Sequence, residues 1–259
     1  MNPADARRPA WAGVVTFAAL AALWYALTTL THTIGAGRFP PPGETWDALR
    51  QIALTGYADA RLHEHVLHSA KLVVLGFTAA TVVGVPLGLA MGWSRSFEAF
   101  ANPTFLLIRP IPPLAWIPLA IVWLGLGDAA KVLVIWFAAF VPSVINSYAG
   151  VRNIEPYLVE AARMLGVSRW MLVREVLIPG AMPMIFTGLR LSLQACWTTL
   201  VAAELIGAIA GLGHVLYQSS LDIFPAMIVV GMATVAATAA AMTLILGWLE
   251  RRAMPWRRI

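Results

Sequence analysis

Two arginines stand inside otherwise apolar stretches: Arg109, in Ile108-Arg109-Pro110-Ile111-Pro112-Pro113, and Arg190, in Thr187-Gly188-Leu189-Arg190. A guanidinium stays charged and presents a planar fork of donors that matches the oxygens of a sulfonate or carboxylate. In lipid it costs on the order of 3 kcal/mol on insertion scales, so each arginine needs water, a counter-charge or free carbonyls. Two uses fit. Arg109 can bond carbonyls freed by Pro110, Pro112 and Pro113 while Arg190 pairs with a carboxylate; or one or both keep a path attractive to a small anion. Gln194, Thr198 and Glu204 follow Arg190 in the same apolar run, with Cys196 and Thr199 among them. Such groups face a bundle interior or a wet path, because lipid penalises them. The candidate path residues are therefore Arg109, Arg190, Gln194, Thr198 and Glu204.

Other chemistries fit less well. In Leu62-His63-Glu64-His65-Val66-Leu67-His68 the zinc-protease spacing His-Glu-x-x-His needs a histidine at position 67, which is Leu67. No metal site is expected. The chain has no G-x-S-x-G elbow and no Gly-Lys pair to begin a phosphate-binding loop, which argues against an enzyme. Cys196 is the single cysteine and excludes an intrachain disulfide.

These residues must be held by membrane helices. With 259 residues, 59% hydrophobic and only 12% charged, the chain has too little polar surface to close a water-soluble globule. The expected fold is all-α and polytopic, with about six spans: Trp11 to Leu30, His65 to Trp93, Phe100 to Leu126, Ala129 to Tyr148, Met182 to Ala208 and Ile223 to Leu249. A cleaved signal peptide is the competing reading of the first run, which is longer than an ordinary h-region and lacks a clear small-residue cleavage site. Gly37 to Thr45 reads as extended polyproline, followed by a helix from Trp46 to Leu54. Ser94 to Glu98 reads as a short loop, and Gly207 to Asp222 as an outer re-entry. Four prolines between Pro110 and Pro118 rule out a regular helix there, and irregular backbone at membrane depth is tolerated only where protein buries it or water reaches it. In the second span Ala80, Gly84, Gly88 and Gly92 leave one helix face bare, an interface signal that serves a second copy or an intrachain neighbour equally well.

The six-span reading places Arg7, Arg8, Arg95, Arg152, Arg163, Arg169, Arg174, Arg251, Arg252, Arg257 and Arg258 inside, against Arg38, Arg50, Arg61 and Lys131 outside. That bias puts both termini in the cytoplasm. The net charge of +5 follows from these flanking arginines and is no nucleic-acid footprint.

One charged stretch interrupts the apolar runs, from Val159 to Met171. Pro156 can start a helix, Gly166 ends it, Ser168 can cap a second one reaching Leu177, and Pro179 is expected to stop that one. Small Ala161 and Ala162 permit close approach, Met164 and Leu165 offer apolar grip, and Glu160 offers charge. The stretch reads as a docking element.

The pattern Glu160-Ala161-Ala162, then Gly166, then Ile178-Pro179 resembles the EAA loop of ABC-importer permeases. Arg109 to Leu119, Thr187 to Arg190, Leu200 to Gly207 and Leu249 to Arg252 look like permeases of taurine, aliphatic sulfonate, nitrate and bicarbonate importers. The likeness covers nearly the whole chain beyond residue 37, and Phe39 to Pro42 look most like the taurine permeases, although sibling families carry pyrimidine precursors, riboflavin and aromatic acids. The resemblance implies a type I importer permease of the bacterial inner membrane, built from two permease copies, two ATPase subunits and a periplasmic substrate-binding protein. ATP and magnesium would be bound by the ATPase, with no cofactor in this chain. It further implies ATPase coupling through Glu160, Ala161, Ala162, Arg163, Leu165 and Gly166. Residues 1–62 would form an N-terminal helix and periplasmic segment, and 63–259 a core carrying the loop at about 151–178. A secondary transporter is the rival class; its paired broken helices are not matched by one broken segment.

Overall fold

The structure, a computed structural model, describes residues 10–31, 35, 37–207 and 210–256. The flanking charges Arg7, Arg8, Arg257 and Arg258 lie outside the described residues. Apart from one bridge between Tyr57 and Ala60, the described residues form helices and turns. In chain order these are α1 (Ala10–Tyr25), continued by a wider turn over Ala26–Leu30, then α2 (Pro42–Leu54), α3 (Leu62–Trp93) and α4 (Arg95–Ile108). After a tight turn at Pro113–Trp116 come α5 (Ile117–Leu124), α6 (Asp128–Arg152), α7 (Pro156–Met164), α8 (Arg169–Leu172), α9 (Ile178–Gly207), α10 (Leu212–Leu221) and α11 (Pro225–Ala253). Among them five helical runs are long and apolar enough to cross a bilayer, and α4 with α5 makes a sixth, broken by a bend of 81°. The bend sits at the prolines, as their missing N–H groups require.

The core is a sandwich of α3, α6 and α9. Its spacing is set by residues without side chains. A Cβ at Gly76 would lie 2.6 Å from Ile135, at Gly88 2.4 Å from the Val144 carbonyl, and at Gly92 2.7 Å from Val151. Gly188 plays the same part between α9 and α6, 2.5 Å from Asn146. The bare face of the second span is thus consumed inside the chain, against α6, so it is no candidate seam between copies. Ser143 and Ser192 add a buried hydrogen bond of 2.9 Å across α6 and α9, and Ser192 Oγ–H donates to the Ala139 carbonyl at 2.8 Å. A smaller cluster of Ala48, Ile52, Val215, Ala226, Met227 and Val230 joins α2, α10 and α11 at one end of the bundle.

Three local expectations need correction. Pro179 does not end the second short helix: Arg169 to Gly207 is one helical run. The turn over Val173–Leu177 is widened, with Ile178 N–H donating to the Val173 carbonyl, and this relieves the clash a proline ring would otherwise make one turn back. Ser94 to Glu98 is not a loop, since Ser94 Oγ caps α4 by accepting from Phe97 N–H at 3.2 Å and helix begins at Arg95. The extended proline run ends at Pro41, with φ −69° and ψ 157°, because Pro42 takes the first helical position of α2.

Candidate functional site

The elbow between α7 and α9 is built from its capping residues. Pro156 opens α7, and at the other end Val167 N–H donates to the Ala162 carbonyl (3.2 Å) while Gly166 N–H donates to the Arg163 carbonyl (3.0 Å). These two bonds form a Schellman motif, which requires the left-handed conformation seen at Gly166, φ +73°. Nothing lies within 4 Å of where a Cβ would stand, so glycine is needed there for its backbone and not for space. Ser168 Oγ then accepts from Met171 N–H at 3.3 Å and starts α8. Glu160, Ala161 and Arg163 are exposed and Ala162 is buried. Met164 is 86% exposed, Leu165 82% and Trp170 72%, a concentration of apolar surface on a short polar turn.

The path candidates separate into three places. Arg190, Gln194 and Thr198 lie at helical intervals along one exposed face of α9. With Trp197, Val235, Ala239 and Thr243 they line a groove of about 550 Å³ between α9 and α11. Arg190 pairs with Glu250, whose side chain is buried at the last turn of α11. The structural alternative for Arg190, pairing with a carboxylate, is the one this conformation displays. Arg109 is elsewhere, exposed at the end of α4 where its N–H still donates to the Phe105 carbonyl at 2.9 Å. Among the described residues its guanidinium has no hydrogen-bonding partner, so it does not satisfy the carbonyls freed by the prolines.

Glu204 is away from the groove and fully buried. Its carboxylate accepts from Ser69 Oγ–H and from Gly213 N–H, both at 2.7 Å, at the start of α10. Ser69 Oγ in turn accepts from Leu212 N–H at 2.9 Å. His65 Nδ1 accepts from Gly211 N–H at 3.1 Å, which leaves Nε2–H to donate to the Tyr57 carbonyl at 2.9 Å. The histidine-rich stretch is therefore spent on structure: His65 is buried in this clasp and Glu64 accepts from Arg61 N–H at 2.6 Å at the start of α3. Beside it, Tyr57 Oη–H donates to Asp222 Oδ2 at 2.5 Å. Burial, then that hydrogen bond, pushes the Tyr57 phenol up to about 12. Sequence reasoning missed Ser69 and Glu250, whose partners lie far along the chain, and Thr243, which bonds the Ala239 carbonyl on its own helix and reaches the groove only through packing; the Gly211-Leu212-Gly213 run was the one local signal for the Glu204 clasp.

A family model described as "Binding-protein-dependent transport system inner membrane component" matches residues 84–258, which include the elbow, the groove and the Glu204 side of the clasp, whereas His65 and Ser69 lie before the matched range. The chain belongs to that family. It is a multi-pass permease subunit and not an enzyme. The permease is 38% identical over 242 residues to the taurine transport system permease protein TauC of Escherichia coli K12, covering 93% of this chain and 88% of that one. It is 29% identical over 245 residues to a putative aliphatic sulfonates transport permease, SsuC, of Bacillus subtilis, covering 95% and 87%. Its fold is that of the permease in the inward-facing MetNI methionine ABC transporter, with a TM-score of 0.62 at 21% identity over 76% of this chain and 96% of that one.

Proposed function

We propose that the permease is one of two identical halves of the membrane path of an ATP-driven importer, passing taurine or a related small sulfonate by alternating access. A periplasmic substrate-binding protein delivers the solute, and two ATPase subunits, which hold ATP and magnesium, drive the cycle. The observation that carries this reading is the open polar face of α9: Arg190, Gln194 and Thr198 border a groove with one wall missing. Lipid is a poor neighbour for that face, and a second copy supplies the missing wall. The solute class rests on likeness to the taurine and sulfonate permeases over nearly the whole chain.

The elbow is the ATPase-docking element, with Glu160, Ala161, Ala162, Arg163, Leu165 and Gly166 as its working residues. Its exposed Met164, Leu165 and Trp170 supply apolar area for a groove on the ATPase. This end, and both termini, face the cytoplasm of a bacterial inner membrane on this reading, which the bias of arginines along the sequence supports. Because Arg190 is held by Glu250, its attraction for an anion acts through exchange of partners, which keeps binding weak enough for release.

The test is ATP-dependent uptake of labelled taurine into proteoliposomes holding the permease, its ATPase subunits and external receptor. Uptake is expected, with alkanesulfonates competing. Failure of the ATPase subunits to co-purify would overturn the importer reading, and robust nitrate uptake without taurine uptake would overturn the solute. Removing Arg190 alone strands a buried carboxylate, so Arg190→Gln/Glu250→Gln is the informative variant. It is expected to fold and to import taurine several-fold more slowly.

A further inference from the structure

The end of the bundle that carries the elbow holds a compact cluster of charge. Glu98, in the first turn of α4, accepts from Tyr148 Oη–H at 2.5 Å and pairs with Arg152. The Arg152 guanidinium also lies over the Tyr148 ring, 5.4 Å from its centre. Arg152 is the last residue of α6, and only Asn153, Ile154 and Glu155 separate it from α7. That connection is held on its other side too, since a Cβ at Gly180 would lie 3.2 Å from the Ile154 side chain. A displacement of α7 is therefore delivered to the end of α6 and to the start of α9 together.

We propose that Glu98, Tyr148 and Arg152 form the link through which movement of the α7–α8 elbow reaches the broken α4–α5 span. This rests on the elbow being the ATPase-docking element. Among its described residues α4 buries only Phe105, which meets Phe140 edge-on at 6.2 Å, so its direction is set there and at Glu98. A helix of 14 residues is about 21 Å long, and its far end is the bend at Arg109. Pivoted on Phe105, α4 converts a small shift at Glu98 into a shift of Arg109 and the prolines. The α3–α6 seam, in which glycines meet backbone at Gly88 and Gly92, moves as one body and leaves this cluster as the joint. Glu98 and Arg152 are positioning residues: they touch no solute.

The link is tested in the assembled complex with its ATPase subunits, using Ile111→Cys on a Cys196→Ser background and a maleimide probe. In the parent, a non-hydrolysable ATP analogue is expected to change the labelling rate at position 111 about fivefold or more, the lower end of ordinary allosteric coupling. That response is expected to vanish in Glu98→Gln and in Arg152→Gln, and to return in the reciprocal pair Glu98→Arg/Arg152→Glu. Tyr148→Phe, which removes one hydroxyl and leaves the ring, keeps the test open if either single variant fails to assemble; it is expected to weaken the response. An undiminished response in every variant that assembles, or no response in the parent, would overturn the link. Gly166→Val separates the two readings: loss of the response there and its retention in Glu98→Gln overturns the link alone, whereas retention in Gly166→Val overturns the docking role of the elbow.

Discussion

Gly211 and Glu204 constrain one another. Gly211 has φ +126°, and a Cβ there would stand 2.1 Å from Glu204 Oε1. Gly211→Ala is expected to lower the melting temperature of the purified permease, with overpacking alone costing about 1–3 kcal/mol. The cost should be smaller in a Glu204→Ala background; strictly additive losses would show that the carboxylate is not what the new methyl strikes. His214 on α10 gives a pH signature. Burial, then the nearby His65, lowers its pKa below the ordinary value, so the folded protein takes up its proton less readily than the unfolded chain. Its contribution is complete above the unfolded value of about 6.5 and is lost as pH falls through that value toward the folded one. Melting temperatures are therefore expected to fall between about pH 7.5 and 5.5, less steeply in His214→Gln; equal slopes would remove His214 as the cause. Little of this was legible beforehand. A polar residue in an apolar run has two solutions, a wet path or a buried partner, and the partner of Glu204 is Ser69, 135 residues away. Gly166 was legible, because its requirement is local: one left-handed residue after a helix with good N-terminal and interior residues.

Elements show the same division. The four-residue spacing of Ala80, Gly84, Gly88 and Gly92 announced a close helix contact, but the identity of the neighbour depends on tertiary packing that no local pattern encodes. Since the Cβ site at Gly88 is 2.4 Å from the backbone carbonyl of Val144, no side chain can yield to relieve a substitution. Gly88→Ala should then separate α3 from α6 at about 1–3 kcal/mol, whereas Gly43→Ala, with nothing within 4 Å, should be neutral or slightly stabilising. Thermal unfolding of the two variants side by side decides it; a benign Gly88→Ala would mean the seam is looser than its geometry. The helical run through Pro179 was misread for an instructive reason. Proline forbids an ordinary α-turn, and the wider turn at Val173–Leu177 is an exception that sequence rules do not carry.

For the whole molecule, the open groove between α9 and α11 predicts where copies meet. Thr198→Cys on a Cys196→Ser background is expected to cross-link permease to permease in the assembled transporter, while a cysteine at Gly43 is not. Absence of the first cross-link in an intact complex would move the seam off α9. The overall architecture was the most legible level, because hydropathy and prolines act along the chain: six spans, one of them broken, are read directly from composition. What composition cannot show is the order in which partners become available. The seam helices α3 and α6 are separated in the chain by α4 and α5. At about 5–20 residues per second, the stretch from Trp93 to Arg152 takes about 3–12 s to synthesise. For that interval the glycine face of α3 waits in the bilayer beside the translation machinery with no mate. Until α6 is released, the face that Gly76, Gly88 and Gly92 present to it has no mate from its own chain, so the tightest seam of the fold is also one that must wait for its second half.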